Sequence, residues 1–348
     1  MAIADITVMG AGVFGLSVAF ACARRGAKVQ VIDPAGVAAG ASGGLVGALA
    51  PHVPEQWNDK KAFQFDSLIM AEQFWADVAA LTGAETGYAR SGRLQPLADE
   101  SAVALAQARA ISADDLWQGL ATWQVEPVTD APWMPPSPSG YVVRDTLSAL
   151  VHPRRATQAL ADAVTALGGS IQSQGAPEGK IVWATGWAGM AEIGGNGVKG
   201  QAALLRLDAA GSPQLFADAL HIIPHLDGTV AIGSTSERNF TDPASTDTAL
   251  DDVIARAVAA FPVLQGAEII ARWAGVRPRA PSRAPVLGHH PTRAGEYIAN
   301  GGFKIGFGMA PKVGQVMADL LLEDKDAIPD GFRPSSPIFR AKISPPEA

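Results

Sequence analysis

The sequence predicts an α/β fold of about two domains, and three observations support this prediction. The chain has 348 residues, whereas one domain typically takes about 150. Hydrophobic residues make up 48% of it and charged residues 18%, which indicates a globular protein rather than a disordered one. Strand and helix patterns alternate near the amino terminus, while residues 199–235 alternate apolar and polar side chains as antiparallel strands do.

The first elements form a strand–helix–strand unit. Residues 3–9 predict a strand, residues 16–25 a helix that ends at Gly26, and residues 28–32 a second strand. Later helices are predicted over residues 62–81, 153–167 and 311–322, the last with Pro311 in its first turn. Later strands are predicted over residues 180–184, 201–207, 221–224, 229–232 and 297–299.

The turn after the first strand predicts a dinucleotide site. It reads Gly10-Ala11-Gly12-Val13-Phe14-Gly15, which matches G-x-G-x-x-G, and Asp33 follows 21 positions after Gly12. Gly10 allows the tight turn, Gly12 lets a pyrophosphate approach the backbone, and Gly15 allows close packing of helix on strand. The helix amino terminus attracts phosphates, and Asp33 would accept hydrogen bonds from a ribose. The alternative is a glycine-rich turn without a ligand.

A second glycine-rich segment, residues 40–47, begins seven residues after Asp33. The chain should still lie near the cofactor there, and glycines suggest backbone pressed against a large planar group. This segment favours FAD over NAD, which the fingerprint alone does not distinguish. A mobile surface loop is the alternative interpretation.

Composition excludes several other classes. The single cysteine, Cys22, excludes a disulfide framework and a thiolate metal cage, and no metal site is expected. The net charge of −7 argues against nucleic acid as the main partner. The sequence has no run of about 18 apolar residues, and Asp5 stands where a signal peptide would be basic. The cytoplasm is therefore the expected location.

The order of several motifs resembles the D-amino-acid oxidase and glycine oxidase family of FAD-dependent amine oxidoreductases, over nearly the whole chain. The motifs after the fingerprint are Ala41-Ser42-Gly43 with Gly47-Ala48, Ser91-Gly92-Arg93-Leu94, His152-Pro153-Arg154-Arg155, Val182-Trp183-Ala184-Thr185-Gly186-Trp187, Val198-Lys199-Gly200-Gln201, His221-Ile222-Ile223-Pro224 through Gly233-Ser234-Thr235, Gly275-Val276-Arg277-Pro278 through Pro285-Val286-Leu287-Gly288, and Gly301-Gly302-Phe303 with Gly306 and Ala310-Pro311. Each motif alone would be weak evidence, but their common order is specific.

The resemblance implies a Rossmann-like FAD-binding domain interleaved with a substrate domain built on a mainly antiparallel β-sheet. Residues 1–52, 141–198 and 272–348 would form the FAD-binding domain, and residues 53–140 and 199–271 the substrate domain. The implied activity is oxidation of the C–N bond of a small amino acid or N-substituted glycine. Hydride would pass to flavin N5, and water would hydrolyse the imine.

The resemblance also implies the site residues. Arg277 would bind the substrate carboxylate through its guanidinium fork, and His221 and Lys304 complete the expected catalytic set. The helix from Pro311 would direct its amino terminus at the flavin. FAD would be held without a covalent link, a bond to His52 being the alternative. The expected cofactor residues are Gly10, Gly12, Val13, Phe14, Gly15, Asp33, Ala41, Ser42, Gly43, Gly47, Ala48, Thr185, Gly186, Trp187, Gly302, Phe303, Lys304, Ile305 and Gly306.

Three departures from the family pattern bear on function. His221 stands where glycine-oxidase-like members have a tyrosine, and Lys304 stands where the family usually has an arginine. A histidine titrates near neutrality and a lysine is a point charge, so a substrate other than plain glycine is indicated. Only residues 169–179 replace a β-meander that helps to hold the adenine. A non-catalytic binding protein that kept the fold is therefore an alternative to an enzyme.

An arginine-rich segment leaves a second alternative open. Arg272, Arg277, Arg279, Arg283 and Arg293 occur without an acidic residue among them. One related branch, the flavin domain of a bifunctional tRNA-modification enzyme, acts on a carboxymethylaminomethyl group of a wobble uridine, and residues 47–51 resemble its loop. The expected partner is a small carboxylate-bearing amine, with tRNA as the alternative. A homo-oligomer is compatible with the sequence.

Overall fold

The computed structural model describes residues 3–335 together with Phe339. Its helices are α1 (Val13–Ala23), α2 (Asp59–Thr82), α3 (Glu100–Leu116), α4 (Pro153–Ala166), α5 (Gly186–Glu192), α6 (Thr248–Ala260) and α7 (Gly306–Glu323). Its strands are β1 (Ile6–Met9), β2 (Val29–Ile32), β3 (Ala48–Leu49), β4 (Arg93–Pro96), β5 (Trp123–Pro127), β6 (Tyr141–Asp145), β7 (Ala149–Leu150), β8 (Ser170–Gln172), β9 (Lys180–Trp183), β10 (Asn196–Arg206), β11 (Gln214–Ala217), β12 (Leu220–Pro224), β13 (Thr229–Gly233), β14 (Glu268–Arg279), β15 (Val286–His289) and β16 (Tyr297–Asn300).

The first sheet has six strands in the order β15-β16-β9-β1-β2-β8. The pairs β1–β2, β1–β9, β9–β16 and β2–β8 are parallel, and the edge strand β15 is antiparallel. Strand β2 reads Val-Gln-Val-Ile and is buried throughout, as expected for a parallel sheet covered on both faces. Helix α1 packs against α4 and α7, and Gly314 of α7 lies so close that a Cβ there would come within 2.6 Å of the Ser17 carbonyl oxygen.

The second sheet has eight strands in the order β14-β10-β13-β12-β11-β4-β6-β5. All of its pairs are antiparallel except β4–β11. Helix α6 covers one face through Leu250, Val253 and Ala257, which join the apolar cluster of Leu205, Ile222 and Ile232. Strand β14 is the edge strand of this sheet, and its long pairing with β10 sets Val198 opposite Arg277.

The predicted fold class is confirmed, and most predicted elements lie within a few residues of observed ones. Helix α7 is an exception, because it begins at Gly306, five residues before the predicted start, so that Pro311 lies inside it. A proline there removes one helix hydrogen bond, and the buried Met309, Ala310 and Val313 around it compensate by packing. Within the described residues, no helix is both long and apolar enough to cross a membrane.

Two of the expected domain boundaries fall inside strands. The boundary at 198/199 falls inside β10, and the boundary at 271/272 falls inside β14. Strand β6 pairs in the second sheet, although the expected FAD segment begins at residue 141. The division into two interleaved domains therefore stays a proposal, with strand ends as better boundaries. The proline-rich tail beyond residue 335, which ends the expected 272–348 segment, lies outside the described residues apart from Phe339.

Candidate active site

A cavity of about 720 Å³ lies between the two sheets. The first sheet contributes the carboxyl ends of β1, β2, β9 and β16, which is where ligands bind in parallel sheets, and the second contributes β11, β12 and β14. The volume is in the usual range of ligand pockets. The expected cofactor residues that line it are Gly10, Gly12, Val13, Phe14, Asp33, Ala41, Ser42, Ala48, Thr185, Gly186, Trp187, Gly302, Phe303, Lys304 and Gly306.

The fingerprint turn has the geometry that the sequence predicts. Gly10 has a φ of +118°, and a Cβ there would collide with the Ala184 carbonyl oxygen. A Cβ on Gly15 would collide with the carbonyl oxygen of Gly10, so Gly15 permits packing and does not itself line the cavity. The Ala11 N–H donates to Asp33 Oδ2 at 2.8 Å. The turn and the acidic residue are thus held together at the end of the first sheet.

Two glycines of residues 40–47 are required by close backbone packing and not by the cavity. A Cβ on Gly43 would collide with the Ala38 carbonyl oxygen, and one on Gly47 with the Val151 carbonyl oxygen, and neither glycine lines the cavity. Ser42 does line it, and its Oγ accepts a hydrogen bond of 2.9 Å from the Val13 N–H. The sequence-based interpretation of glycine backbone pressed against a ligand therefore does not apply to Gly43 and Gly47.

The loop before α7 forms another wall of the cavity. Gly302 is confined by Phe14, whose ring carbon would lie 3.0 Å from a Cβ on that glycine. Because α7 begins at Gly306, its amino terminus reaches the cavity, whereas a start at Pro311 would not. Ile305 precedes the helix and is not part of the lining.

Arg277 extends from β14 into the cavity with its charge unpaired. Its guanidinium donates to Ser234 Oγ and, at 3.3 Å, to the Thr235 carbonyl oxygen, and it has no ion pair among the described residues. Burial lowers the pKa of Arg277 to about 10, an effect that the Glu237 carboxylate partly opposes. The group therefore remains a cation at neutral pH, and its partners in the protein are neutral oxygens. This arrangement leaves the charge for an anionic ligand.

The absence of a side chain at Gly200 makes room for this guanidinium. Gly200 lies on β10, opposite Gly275 of β14, and a Cβ on it would collide with Cζ and both terminal nitrogens of Arg277.

His221 lies beside Phe216, with 4.6 Å between the ring centroids. Its Nδ1 is buried and has no hydrogen-bond partner among the described residues. Burial, followed by the charges of Arg93, Lys304 and Arg277, lowers the pKa of His221 to about 3. Burial first, and then these three charges, thus favour a neutral ring at neutral pH, in contrast to the expected titration near neutrality.

Lys304 completes the set of three residues expected to act on substrate. It lines the cavity, and its Nζ lies 5.9 Å from the centroid of the Phe303 ring. Burial and then the charge of Arg277 lower the pKa of Lys304. The structure thus places Arg277, His221 and Lys304 around one end of the cavity, while Asp33 lies at the end formed by the first sheet.

Sequence reasoning missed several lining residues. Asn300 ends β16, donates from its Nδ2 to the Gly186 carbonyl oxygen at 2.9 Å, and so orders the start of α5. Phe216 and Ser234 also line the cavity. The position of Asn300 directly before Gly301-Gly302 is a sequence pattern that could have identified it as a lining residue. No local sequence pattern distinguishes Phe216 in this way.

The remaining cysteine and histidine candidates do not join the cavity. Cys22 is buried in α1, and this burial raises the pKa of its thiol to about 12. His52 contacts Gln64 Oε1 through its ring and is not part of the lining. No group of three or more possible metal ligands occurs within the part of the chain that the structure describes.

The arginine-rich segment does not form one continuous surface. Arg272 pairs with Asp251 at 2.6 Å, whereas Arg293 pairs with Glu192 at 3.0 Å and lies 4.1 Å from the Trp183 ring. Arg277 points into the cavity. A continuous surface for RNA would have to be assembled from other residues.

The short segment 169–179 lies next to the fingerprint's acidic residue. Its strand β8 extends the first sheet beside β2, and the Asp33 N–H donates to the Gln172 carbonyl oxygen at 3.0 Å. One edge strand thus stands where the resemblance implies a larger β-meander.

The fold and the cavity are those of a dinucleotide-binding protein. Two cationic side chains, Arg277 and Lys304, line the same cavity as the glycine-rich turn. The family model described as FAD dependent oxidoreductase, DAO, matches residues 5–320. The chain therefore belongs to this family, so the predicted family and its cofactor, FAD, are confirmed.

Curated relatives include glycine oxidases. The enzyme of Geobacillus kaustophilus is 26% identical over 91% of this chain and 92% of its own length. The glycine oxidase of Pseudomonas putida is 34% identical over 46% of this chain and 43% of its own length. The bifunctional protein ThiO/ThiG of Nostoc is 29% identical over 92% of this chain and 53% of its own length. The chain thus spans about half the length, or less, of the first curated relatives it matches.

Solved structures share the fold. The glycine oxidase from Geobacillus kaustophilus superposes with a TM-score of 0.80 at 20% identity, covering 94% of this chain and 96% of that one. An iminodiacetate oxidase from Chelativorans superposes with a TM-score of 0.78 at 21% identity, covering 99% and 100%. These likenesses support the arrangement of the two sheets.

Proposed function

We propose that this protein is an FAD-dependent oxidoreductase of the cytoplasm that oxidises the C–N bond of a small amino acid or N-substituted glycine. The observation that carries the proposal is the unpaired guanidinium of Arg277, which shares one cavity with a dinucleotide-binding turn. An amine substrate with a carboxylate would bring its charge to Arg277 and its reacting carbon to the middle of the cavity.

The residues present fit FAD. The turn from Gly10 to Gly15 and the amino terminus of α1 suit the pyrophosphate, and Asp33 suits the ribose. The loop at Gly302 and the start of α7 leave space for the isoalloxazine, with a partial positive charge at the helix end. When bound, FAD supplies the oxidant, since N5 of its ring accepts a hydride.

The protein's own groups bind and orient the substrate. Arg277 would hold the carboxylate by charge-assisted hydrogen bonds, which fixes the neighbouring carbon. The neutral ring of His221 would lie beside the substrate at the same end of the cavity. The substrate would lose a hydride from carbon to the bound oxidant and a proton from nitrogen to water. A further water would then hydrolyse the imine to an oxo acid and ammonia or an amine.

Purified protein tests whether the chain uses FAD as a catalyst. We expect flavin absorption near about 370 and 450 nm, and anaerobic loss of the 450 nm band with a carboxylate-bearing amine. Admission of air afterwards distinguishes an oxidase from a dehydrogenase. Colourless protein that FAD does not reconstitute would support the non-catalytic alternative instead.

Replacing Arg277 tests its assigned role. Arg277→Leu should raise KM for carboxylate-bearing amines by about 100-fold, because a charge-assisted pair of about 2–3 kcal/mol is lost. Steady-state kinetics with FAD-saturated enzyme measure this. The matched control is Arg272→Leu, which removes an arginine of the same strand that pairs with Asp251 on the surface. An unchanged KM in Arg277→Leu would reject the role.

A further inference from the structure

Ser234 lies directly after β13, where the second sheet contributes to the cavity. It lines the cavity together with Arg277, and it is half-buried. Strand β10 separates β13 from β14, so the side chain of Arg277 crosses β10 over Gly200 to reach this serine. The guanidinium donates from Nη2 to Ser234 Oγ. Ser234 and Arg277 therefore present two polar groups side by side to the ligand space.

The hydroxyl of Ser234 has a proton that no group of the described residues accepts. A hydroxyl can both accept hydrogen bonds and donate one, and Ser234 Oγ has the acceptor role towards Arg277. The positive charge of the guanidinium directs the serine proton away from itself. Asp33, the one carboxylate of the described lining, follows β2 in the first sheet and accepts from the N–H groups of Ala11 and Ala35. The donor capacity of Ser234 is thus left for a ligand.

The hydroxyl of the neighbouring Thr235 has the opposite arrangement. It accepts from the N–H of Gln201 at 2.8 Å and donates to a carboxylate oxygen of Glu237, so both of its roles are taken within the protein. The side-chain amide of Gln201 donates to the same oxygen of Glu237 at 3.0 Å. Neither Thr235 nor Glu237 lines the cavity. This network holds the backbone next to Ser234, so the serine hydroxyl is in place before a ligand arrives.

Arg277 keeps donors free beside this hydroxyl. A guanidinium has five N–H groups, and within the described residues Arg277 uses two of them, towards Ser234 Oγ and, at 3.3 Å, the Thr235 carbonyl oxygen. A carboxylate has two oxygens that together accept about four hydrogen bonds. The guanidinium fork can supply two of these bonds, and the adjacent hydroxyl can supply a third.

From this arrangement we infer that Ser234 is a second binding residue for the substrate carboxylate, to which its hydroxyl donates beside the guanidinium of Arg277. The inference rests on the proposed function, which brings the carboxylate to this end of the cavity. The competing role for Ser234 is to position the guanidinium without touching the ligand. Replacing the guanidinium distinguishes the two roles, because a direct donor still acts beside another cation, whereas a residue that only positions Arg277 no longer has an effect.

Binding of acetate to the FAD-loaded protein measures the role of Ser234 without turnover. Ser234→Ala should weaken acetate binding by about tenfold or more, because a hydrogen bond to a charged group is lost. Ser234→Cys should weaken it by a similar factor, since a thiol fills the space but donates poorly. Ser236→Ala is the matched control and should leave binding unchanged, because it removes an exposed hydroxyl outside the cavity lining. Ligand-observed NMR measures binding, and flavin absorbance establishes equal FAD loading.

An Arg277→Lys background separates direct binding from positioning. Lysine keeps a cation but lacks the planar fork that contacts Ser234. We expect Ser234→Ala to weaken acetate binding by about tenfold in this background as well. A loss below about threefold there would make Ser234 a positioning residue and overturn the inference. Unchanged acetate binding in Ser234→Ala with Arg277 in place would overturn it too.

Turnover separates this inference from the proposed function. With a carboxylate-bearing amine that reduces the flavin, Ser234→Ala should raise KM by about tenfold or more and change kcat little. If acetate binding follows the expected pattern while no amine reduces the flavin, the proposed function fails and the role of Ser234 in carboxylate binding stands. If an amine reduces the flavin while Ser234→Ala leaves KM and acetate binding unchanged, the inference fails and the proposed function stands.

Discussion

At the residue scale, the position of the Arg277 guanidinium depends on the absence of a side chain at Gly200. The guanidinium occupies the space that a Cβ on Gly200 would need, so Gly200→Ala should displace it. We expect KM for carboxylate substrates to rise by about tenfold or more, with a smaller change in kcat.

A double-mutant cycle shows whether Gly200 acts through Arg277. In an Arg277→Leu background, Gly200→Ala should have little further effect on KM, because the group that it displaces is gone. Equal effects in both backgrounds would mean that Gly200 is a general packing position and not a positioning residue.

A second residue-scale prediction concerns the ion pair between Arg93 and Asp145. Their side chains are 5% and 0% exposed and lie 2.8 Å apart, next to the Phe216 and His221 end of the cavity. Asp145→Asn would leave a buried cation unpaired and should lower the free energy of unfolding by about 3–5 kcal/mol. Urea denaturation measures this. Glu126→Gln, which breaks the half-exposed pair with Arg144 on the neighbouring strands, should cost under about 1 kcal/mol.

The sequence predicts single residues well where a local pattern encodes their role. Asp33 and Gly10 follow from spacing, and Arg277 follows from a resemblance motif. The close approach of Gly200 to Arg277 depends on the register of β10 and β14, whose partners are far apart in the chain, so no local pattern contains it. The lowered pKa of His221 likewise depends first on burial and then on three cations from three separate segments.

At the element scale, the path of residues 40–47 depends on backbone packing. Gly47→Ala would force a Cβ into the Val151 carbonyl oxygen, and β3 and β7 would have to separate. We expect the melting temperature of the apoprotein to fall by several degrees, which corresponds to about 1–3 kcal/mol. Gly40→Ala in the same segment is the control, since its Cβ would meet no atom within 4 Å. Thermal unfolding followed by circular dichroism measures both melting temperatures. Equal melting temperatures for the two variants would contradict this explanation.

The elements that sequence reasoning placed best have strong local signals. Helix α4 has Pro153 in its first turn and a clear apolar face, and its predicted span differs by one residue. Helix α3 went unpredicted because its inward positions are mostly alanines, while Leu105 and Ile111 are exposed. The start of α7 was misplaced because a proline normally marks a helix beginning, whereas here packing on α1 and α2 overrides that preference.

At the scale of the whole molecule, buried histidines should make stability depend on pH. Burial is the main cause that lowers the pKa of His221 to about 3 and of His225 to about 4, whereas unfolded histidines titrate near about 6.5. Below about pH 6.5 the unfolded chain takes up protons that the native one does not. The free energy of unfolding therefore decreases as the pH is lowered. Two such groups remove about 3 kcal/mol per pH unit.

Urea unfolding at pH 7.5, 6.5 and 5.5 measures this slope, over a range in which most carboxylates stay ionised. His221→Gln should reduce the slope below pH 6.5 by about 1 kcal/mol per pH unit, and His289→Gln, at an exposed position, is the control. A flat profile would mean that both rings become protonated in the native state.

The central position of β1 has a consequence for synthesis of the chain. Ile6 is paired with Val29 on one side and with Lys180 on the other, so the second neighbour is made 174 residues after the first strand emerges. At about 5–20 residues per second, the ribosome needs about 10–35 s to supply it. During that interval the edge of β1 is open and the apolar surface of α1 has not met α7. The nascent chain, rather than the finished enzyme, is then the species most exposed to aggregation, and slow codons before β9 should lower the soluble yield.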